Sequence, residues 1–211
     1  MGHCLFLRKG SVHTAPGKGL PAGYTKLQYI QSTGTQYVDT GFKPKNTTKV
    51  TADFQVTTQP ASHLVIFGSR TSYSSSDQFV LGFTGHKSPA VWRSDFGSKQ
   101  TDFPSTVGWS SRYTAVFDNS ACALNADSVA VSASAFTSTH NLFLLADNDN
   151  ETAAGMISAK LYSCQIYDNG TLVRDYVPCI DPSGAVGLYD TVSKAFFANA
   201  GTGTFTGSEV D

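Results

Sequence analysis

The sequence predicts an all-β protein built from two packed antiparallel sheets. Three observations carry that prediction. Apolar residues recur with period two through most of the 211-residue chain. Clusters of Asp, Asn, Gly, Pro and Ser interrupt these runs at near-regular spacing. No segment sustains a helical periodicity with recognisable caps.

Taken in order, residues 1–22 read as an N-terminal arm and linker, and 23–208 as one β-sandwich domain. The arm opens with the apolar run Cys4-Leu5-Phe6-Leu7, followed by Arg8 and Lys9 and then a Gly/Pro-rich stretch to Gly19. Leu5, Phe6 and Leu7 are candidate docking residues on such an arm; an ordinary first strand or a loose terminus would read the same way. From Tyr24 the alternation begins. It is clearest where Val50, Ala52, Phe54 and Val56 interleave with Lys49, Thr51, Asp53 and Gln55, one face buried and one wet. Similar runs follow at 63–67, 78–84, 90–93, 112–117, 128–132, 142–146, 157–167, 172–177 and 186–189. Turn clusters separate them at Thr58-Gln59-Pro60, Asp118-Asn119-Ser120, 147–150, Asp168-Asn169-Gly170 and Asp181-Pro182-Ser183-Gly184. Asn169-Gly170 between two apolar runs is the clearest hairpin signal. The serine-rich 72–76 reads as a solvated loop tip that can also carry contacts.

Composition narrows the function classes. Lys plus Arg total 15 and Asp plus Glu 16, a formal charge of −1, so no long-range field draws nucleic acid or an anionic membrane. Charged residues make up 15%, against roughly a quarter in average domains, and are replaced by Ser, Thr, Gly and Asn. Hydrophobic residues at 40% suffice for a sizeable core. No apolar stretch approaches the roughly 20 residues of a membrane helix, so no membrane insertion is expected. Met1–Gly10 lacks the features of a secretory signal. The four cysteines, Cys4, Cys122, Cys164 and Cys179, form no C-x-x-C. Cys164 and Cys179 flank the expected hairpin, so a disulfide is geometrically conceivable; buried free thiols are the alternative.

Three stretches resemble a known family: LPAGYTKLQYIQSTGTQYVDTG (20–41), KLYSCQIYDNG with RDYVPC (160–170 and 174–179), and GLYD with FFAN and GTGTF (187–190, 196–199 and 201–205). Together they resemble the laminin-G-like, concanavalin A-like jelly-roll domains of phage tail and other virion proteins and of gut-bacterial surface proteins. The resemblance spans roughly residues 20–207. It implies a two-sheet jelly-roll sandwich made in a bacterial cytoplasm and carried on a virion. The arm, residues 1–19, would face other virion proteins and the jelly roll would face outward. The implied partner is host-surface carbohydrate; a purely structural decoration role docked through the arm is the alternative, and a homo-oligomer is compatible with either. Fold does not give activity, so sites must decide.

Hydrolase chemistry finds little support. Glu151 and Glu209 are the only glutamates, and the E-x-D-x-E strand of laminarinase-type members is missing. No G-x-S-x-G, H-E-x-x-H or basic stripe occurs. No catalytic residues and no obligate cofactor are therefore expected. Two constellations remain. Asp147, Asp149 and Glu151, within Asp147-Asn148-Asp149-Asn150-Glu151, offer hard oxygens suited to Ca2+; a polar turn explains them as well. Sugar recognition needs a flat ring and fork-like polar groups, which Trp92, Arg93, Asp95, Tyr73 and Arg70 supply, with Trp109 a further ring. On a continuous strand Trp92 would face away from Arg93 and Asp95.

Overall fold

The computed structural model describes residues 19–59, 63–84, 87–106 and 108–210. Among these there is no helix, and the strands form two sheets. The larger sheet contains β1 (Thr25–Thr33), β3 (Thr48–Val56), β8 (Arg112–Phe117), β9 (Ala121–Leu124), β10 (Asp127–Ala130), β14 (Ser158–Asp168), β15 (Thr171–Ile180), β16 (Val186–Asp190), β17 (Ala195–Phe197) and β18 (Thr206–Glu209). The smaller contains β2 (Val38–Asp39), β4 (Val65–Arg70), β5 (Gln78–Phe83), β6 (Val91–Gly97), β7 (Lys99–Thr106), β11 (Phe143–Leu144), β12 (Asp147–Asp149) and β13 (Thr152–Ala154).

The larger sheet runs β10-β9-β8-β3-β14-β1-β15-β16-β17, with β18 on β1; the smaller runs β13-β12-β4-β5-β6-β7. Every pairing between these strands is antiparallel except β12 on β4, which is parallel. The core lies between the sheets and is rich in aromatic rings. Phe54 of the larger sheet meets Trp92 of the smaller edge-on at 5.6 Å, and Phe117 packs among Phe67, Phe79 and Phe96.

The alternation read from 49–56 is realised in full: Val50, Ala52, Phe54 and Val56 are buried, and the residues between them face outward. Asn169-Gly170 closes β14 onto β15 with φ of +48° and +78°, the geometry that Asn-Gly favours. Leu20, placed in the arm by sequence, packs on Cys179 and Tyr189. The docking residues Leu5, Phe6 and Leu7 lie outside the described residues. Cys122, Cys164 and Cys179 are free buried thiols. Cys164 pairs across the hairpin with Tyr176 rather than with Cys179, so no disulfide joins them. The segment 147–150, expected as a flexible turn, is instead mostly strand β12, paired on both sides.

Candidate functional site

Alternation in the smaller sheet sorts its residues by face. Phe67, Phe79, Leu81, Phe83, Trp92 and Phe96 enter the core. Gly68, Arg70, Gln78, Val80, Arg93, Asp95, Asp147 and Asp149 face the other way by the same alternation. Strand register aligns Asp147, Gly68, Val80, Asp95 and Gln100 in one row across β12, β4, β5, β6 and β7.

Arg70 is the hub of this face and is only 1% exposed. Its Nη2 lies 2.5 Å from Asp147 Oδ2 and 3.6 Å from Asp149 Oδ2, and its Nη1 4.0 Å from Asp95 Oδ2. Gly68 makes the arrangement possible: a Cβ there would meet Asp147 Oδ1 at 2.5 Å. Burial pushes the Asp147 carboxyl up to about 7, with Arg70 opposing the shift. Burial likewise raises Asp95, opposed by Arg93, whose Nε donates to Asp95 Oδ1 at 2.9 Å. His63 is lowered, first by burial and then by the Arg70 charge. It is therefore neutral at pH 7 and donates from Nδ1 to the Phe83 carbonyl at 2.7 Å.

Tyr73 is the exposed element of the cluster, at 52%. Its ring lies 3.5 Å from the Arg70 guanidinium and meets His63 edge-on. The 71–77 loop that carries it is tied down rather than free. Thr71 Oγ1 donates to Asp77 Oδ2, Gln78 Nε2 to the Ser75 carbonyl and Gln100 Nε2 to the Tyr73 carbonyl. Gln100 Oε1 in turn accepts from Arg93 Nη2, which locks the loop to β6 and β7.

The structure thus gathers Arg70, Tyr73, Arg93 and Asp95 on one face. Trp92 leaves the group: β6 continues through Gly97, so its ring turns inward against Phe83, Tyr113 and Phe54. Trp109, the further ring, is 54% exposed and lies elsewhere. The three residues suited to calcium are divided. Asp147 and Asp149 face Arg70, whereas Glu151 sits in the turn after β12 and contacts His140 Nδ1 at 2.5 Å. No group of three His, Cys, Asp or Glu side chains among the described residues could hold a metal ion. Gln78 and Gln100 escaped the sequence reading. The clue to Gln100 was the alternation of Thr101 and Phe103 in 99–106, obscured by Pro104 and the polar residues around it.

Two surface depressions lie away from this face. One, of about 370 Å³, is lined by Val186, Asn199, Thr204 and Phe205 among others, and the Asn199 amide is already spent on Tyr37, Gly201 and Gly203. The other, of about 420 Å³, includes Asn46, Asp118, Asn119 and Asn169, with Asp118 committed to Ser120 and Ala121. Neither combines an exposed ring with unspent charged groups.

No protein-family model and no curated protein matches the sequence. Among solved structures, the chain is similar to a protein from Bacteroides ovatus to which carbohydrate binding is ascribed, with TM-score 0.60 and 10% identity. That similarity covers 88% of this chain and 61% of the other, so the chain spans less than two thirds of that protein's length. A heptameric SAP-like pentraxin from Limulus polyphemus aligns over 68% of this chain and 74% of its own, with TM-score 0.42 and 12% identity. The fold is a two-sheet, concanavalin A-like jelly roll.

Proposed function

We propose that this chain is a non-enzymatic carbohydrate-binding domain whose ligand lies against Tyr73 on the outward face of the smaller sheet. The observation that carries this reading is a ring that is exposed yet fixed. Arg70 occupies one face of Tyr73 and Gln100 anchors its carbonyl, leaving the remaining surface open to a sugar. A pre-positioned ring offers apolar contact to a pyranose at little ordering cost. Arg93 Nη1 and the part-exposed Asp149 supply a donor and acceptors around it. The likeness to the Bacteroides ovatus protein supports the same reading through the fold.

Cleavage is disfavoured by burial. A glycosidase needs one carboxyl within reach of the glycosidic oxygen and a second facing it. Asp95 and Asp147 are buried and turned to arginines, so neither can meet a substrate. The setting we favour is the host-glycan-recognising part of a phage virion protein, supported by the three stretches resembling such domains. Several copies on one particle would strengthen an individually weak contact.

The test is a neutral-glycan array probed with the multimerised chain. Binding of a neutral glycan is expected, weakened about tenfold by Tyr73→Ala and unaffected by Trp109→Ala. Silence across the array would overturn the reading.

A further inference from the structure

We propose that the outward face of the larger sheet is a second ligand surface, taking an extended glycan that carries carboxylates. It lies on the opposite side of the sandwich from Tyr73 and is built on four neighbouring strands, β8, β3, β14 and β1. Register sets Arg112 beside Gln55, Gln55 beside Lys160 and Lys160 beside Gln31. Neighbouring strands lie about 4.8 Å apart, so the row spans roughly 14 Å, the length of a short oligosaccharide.

Two linked rings, Tyr162 and Tyr29, accompany this row, and a third lies in the turn beside it. Trp109 stands exposed in the turn before β8. The next residue fixes that turn: Ser110 N donates to the Val56 carbonyl at 2.8 Å, and its own carbonyl accepts from Gln55 Nε2 at 2.7 Å. Gln55 Oε1 accepts from the Tyr162 hydroxyl at 3.0 Å, and Tyr162 meets Tyr29 edge-on at 5.4 Å. Each tyrosine carries a cation: the Arg112 guanidinium lies 3.8 Å from Tyr162, and Lys160 Nζ 4.2 Å from Tyr29. Rings, amides and cations are therefore already ordered before a ligand arrives, which lowers the entropy cost of binding.

Charge identifies the occupant. Arg112 binds Asp53 through Nε and Nη2 at 2.7 and 2.6 Å, and the two charges cancel. Lys160 makes no ion pair among the described residues, so the patch keeps a positive charge. A neutral glycan could use only the rings and the Gln31 amide; a uronate adds a carboxylate for Lys160. A nucleic acid strand fits less well, because one excess charge cannot offset a phosphate on every nucleotide. The Tyr73 face has the opposite bias: Asp77, Asp95, Asp102, Asp147 and Asp149 outnumber Arg70, Arg93 and Lys87 there. The two faces thus sort glycans by charge.

The full chain would be titrated calorimetrically with a galacturonic acid tetrasaccharide and with its carboxyl-reduced counterpart. The acidic form should bind about tenfold more tightly at this face, less so as salt rises, and should shift the Tyr29 and Tyr162 ring signals in NMR spectra. Lys160→Glu and Trp109→Ala, both at surface positions, should each weaken it about tenfold, while Tyr73→Ala leaves it unchanged. Equal binding of both forms by Tyr73→Ala, no binding of the acidic form, indifference to Lys160→Glu, loss of acidic-form binding in Tyr73→Ala, or tighter binding of a single-stranded oligonucleotide would each overturn the proposal. The Tyr73 reading stands separately, on neutral-glycan binding and its loss in Tyr73→Ala.

Discussion

A missing methyl group at position 68 lets a carboxylate lie across the sheet and reach Arg70. That geometry has a pH consequence. Burial raises the folded-state value of Asp147 to about 7, well above its unfolded value, so the folded chain holds a proton there that the unfolded chain has released. Between about pH 4 and 7 this residue makes stability fall as pH rises, and Asp95 acts in the same sense. Asp77, Asp118, Asp168 and Asp181 are lowered, so what they contribute is present above their unfolded values and lost in more acid solution. Stability should therefore peak in mildly acidic solution, and Asp147→Asn should flatten the decline towards pH 7. Urea midpoints from pH 4 to 8 check this; an unchanged slope in the variant would place the titration elsewhere. Residue chemistry alone brought Arg70, Tyr73, Arg93 and Asp95 to notice. It misjudged Asp147, because an Asp/Asn run looks like a turn until its distant arginine partner is known.

At the scale of elements, two hairpins show what local sequence encodes and what it hides. Asn169-Gly170 and Asn150-Glu151 both place two consecutive residues at positive φ, and both close two-residue turns. The first is legible because glycine advertises the conformation. The second is hidden because Glu151 adopts φ +66° against its preference. Glu151→Gly should therefore stabilise the chain by about 0.5–1 kcal/mol. The His140 contact that it removes is worth little, since Glu151 is 72% exposed on its side chain. A urea midpoint at pH 7 that falls instead of rising would show that this contact matters more than the turn. Strands with clean alternation, such as β3 and β8, were readable from sequence to within a residue or two. Strands β7 and β9 were not, because neither presents a continuous apolar set: Pro104 interrupts one, and only Cys122 and Leu124 mark the other.

For the whole molecule, what joins the two faces is the aromatic layer between the sheets. Phe117 enters from the larger sheet and meets Phe79 edge-on at 4.7 Å, with Phe67 and Phe96 at 5.5 and 5.3 Å, all three from the smaller sheet. Neither sheet can bury its inner face alone, so both outward surfaces depend on this layer for their shape. Removing the ring leaves a cavity in a region with no spare side chain to fill it, and Phe117→Ala should cost about 3–5 kcal/mol. Because the layer is shared, the loss should lower one common transition rather than uncouple the sheets. Trp92 lies in the core and Trp109 on the surface, so tryptophan emission reports on both, and far-UV circular dichroism reports on the strands. The two signals should unfold at the same urea concentration in the parent and in Phe117→Ala, with the variant's midpoint displaced downward. Separate transitions in the variant would mean that the sheets fold independently, and that glycan binding on one face could survive collapse of the other.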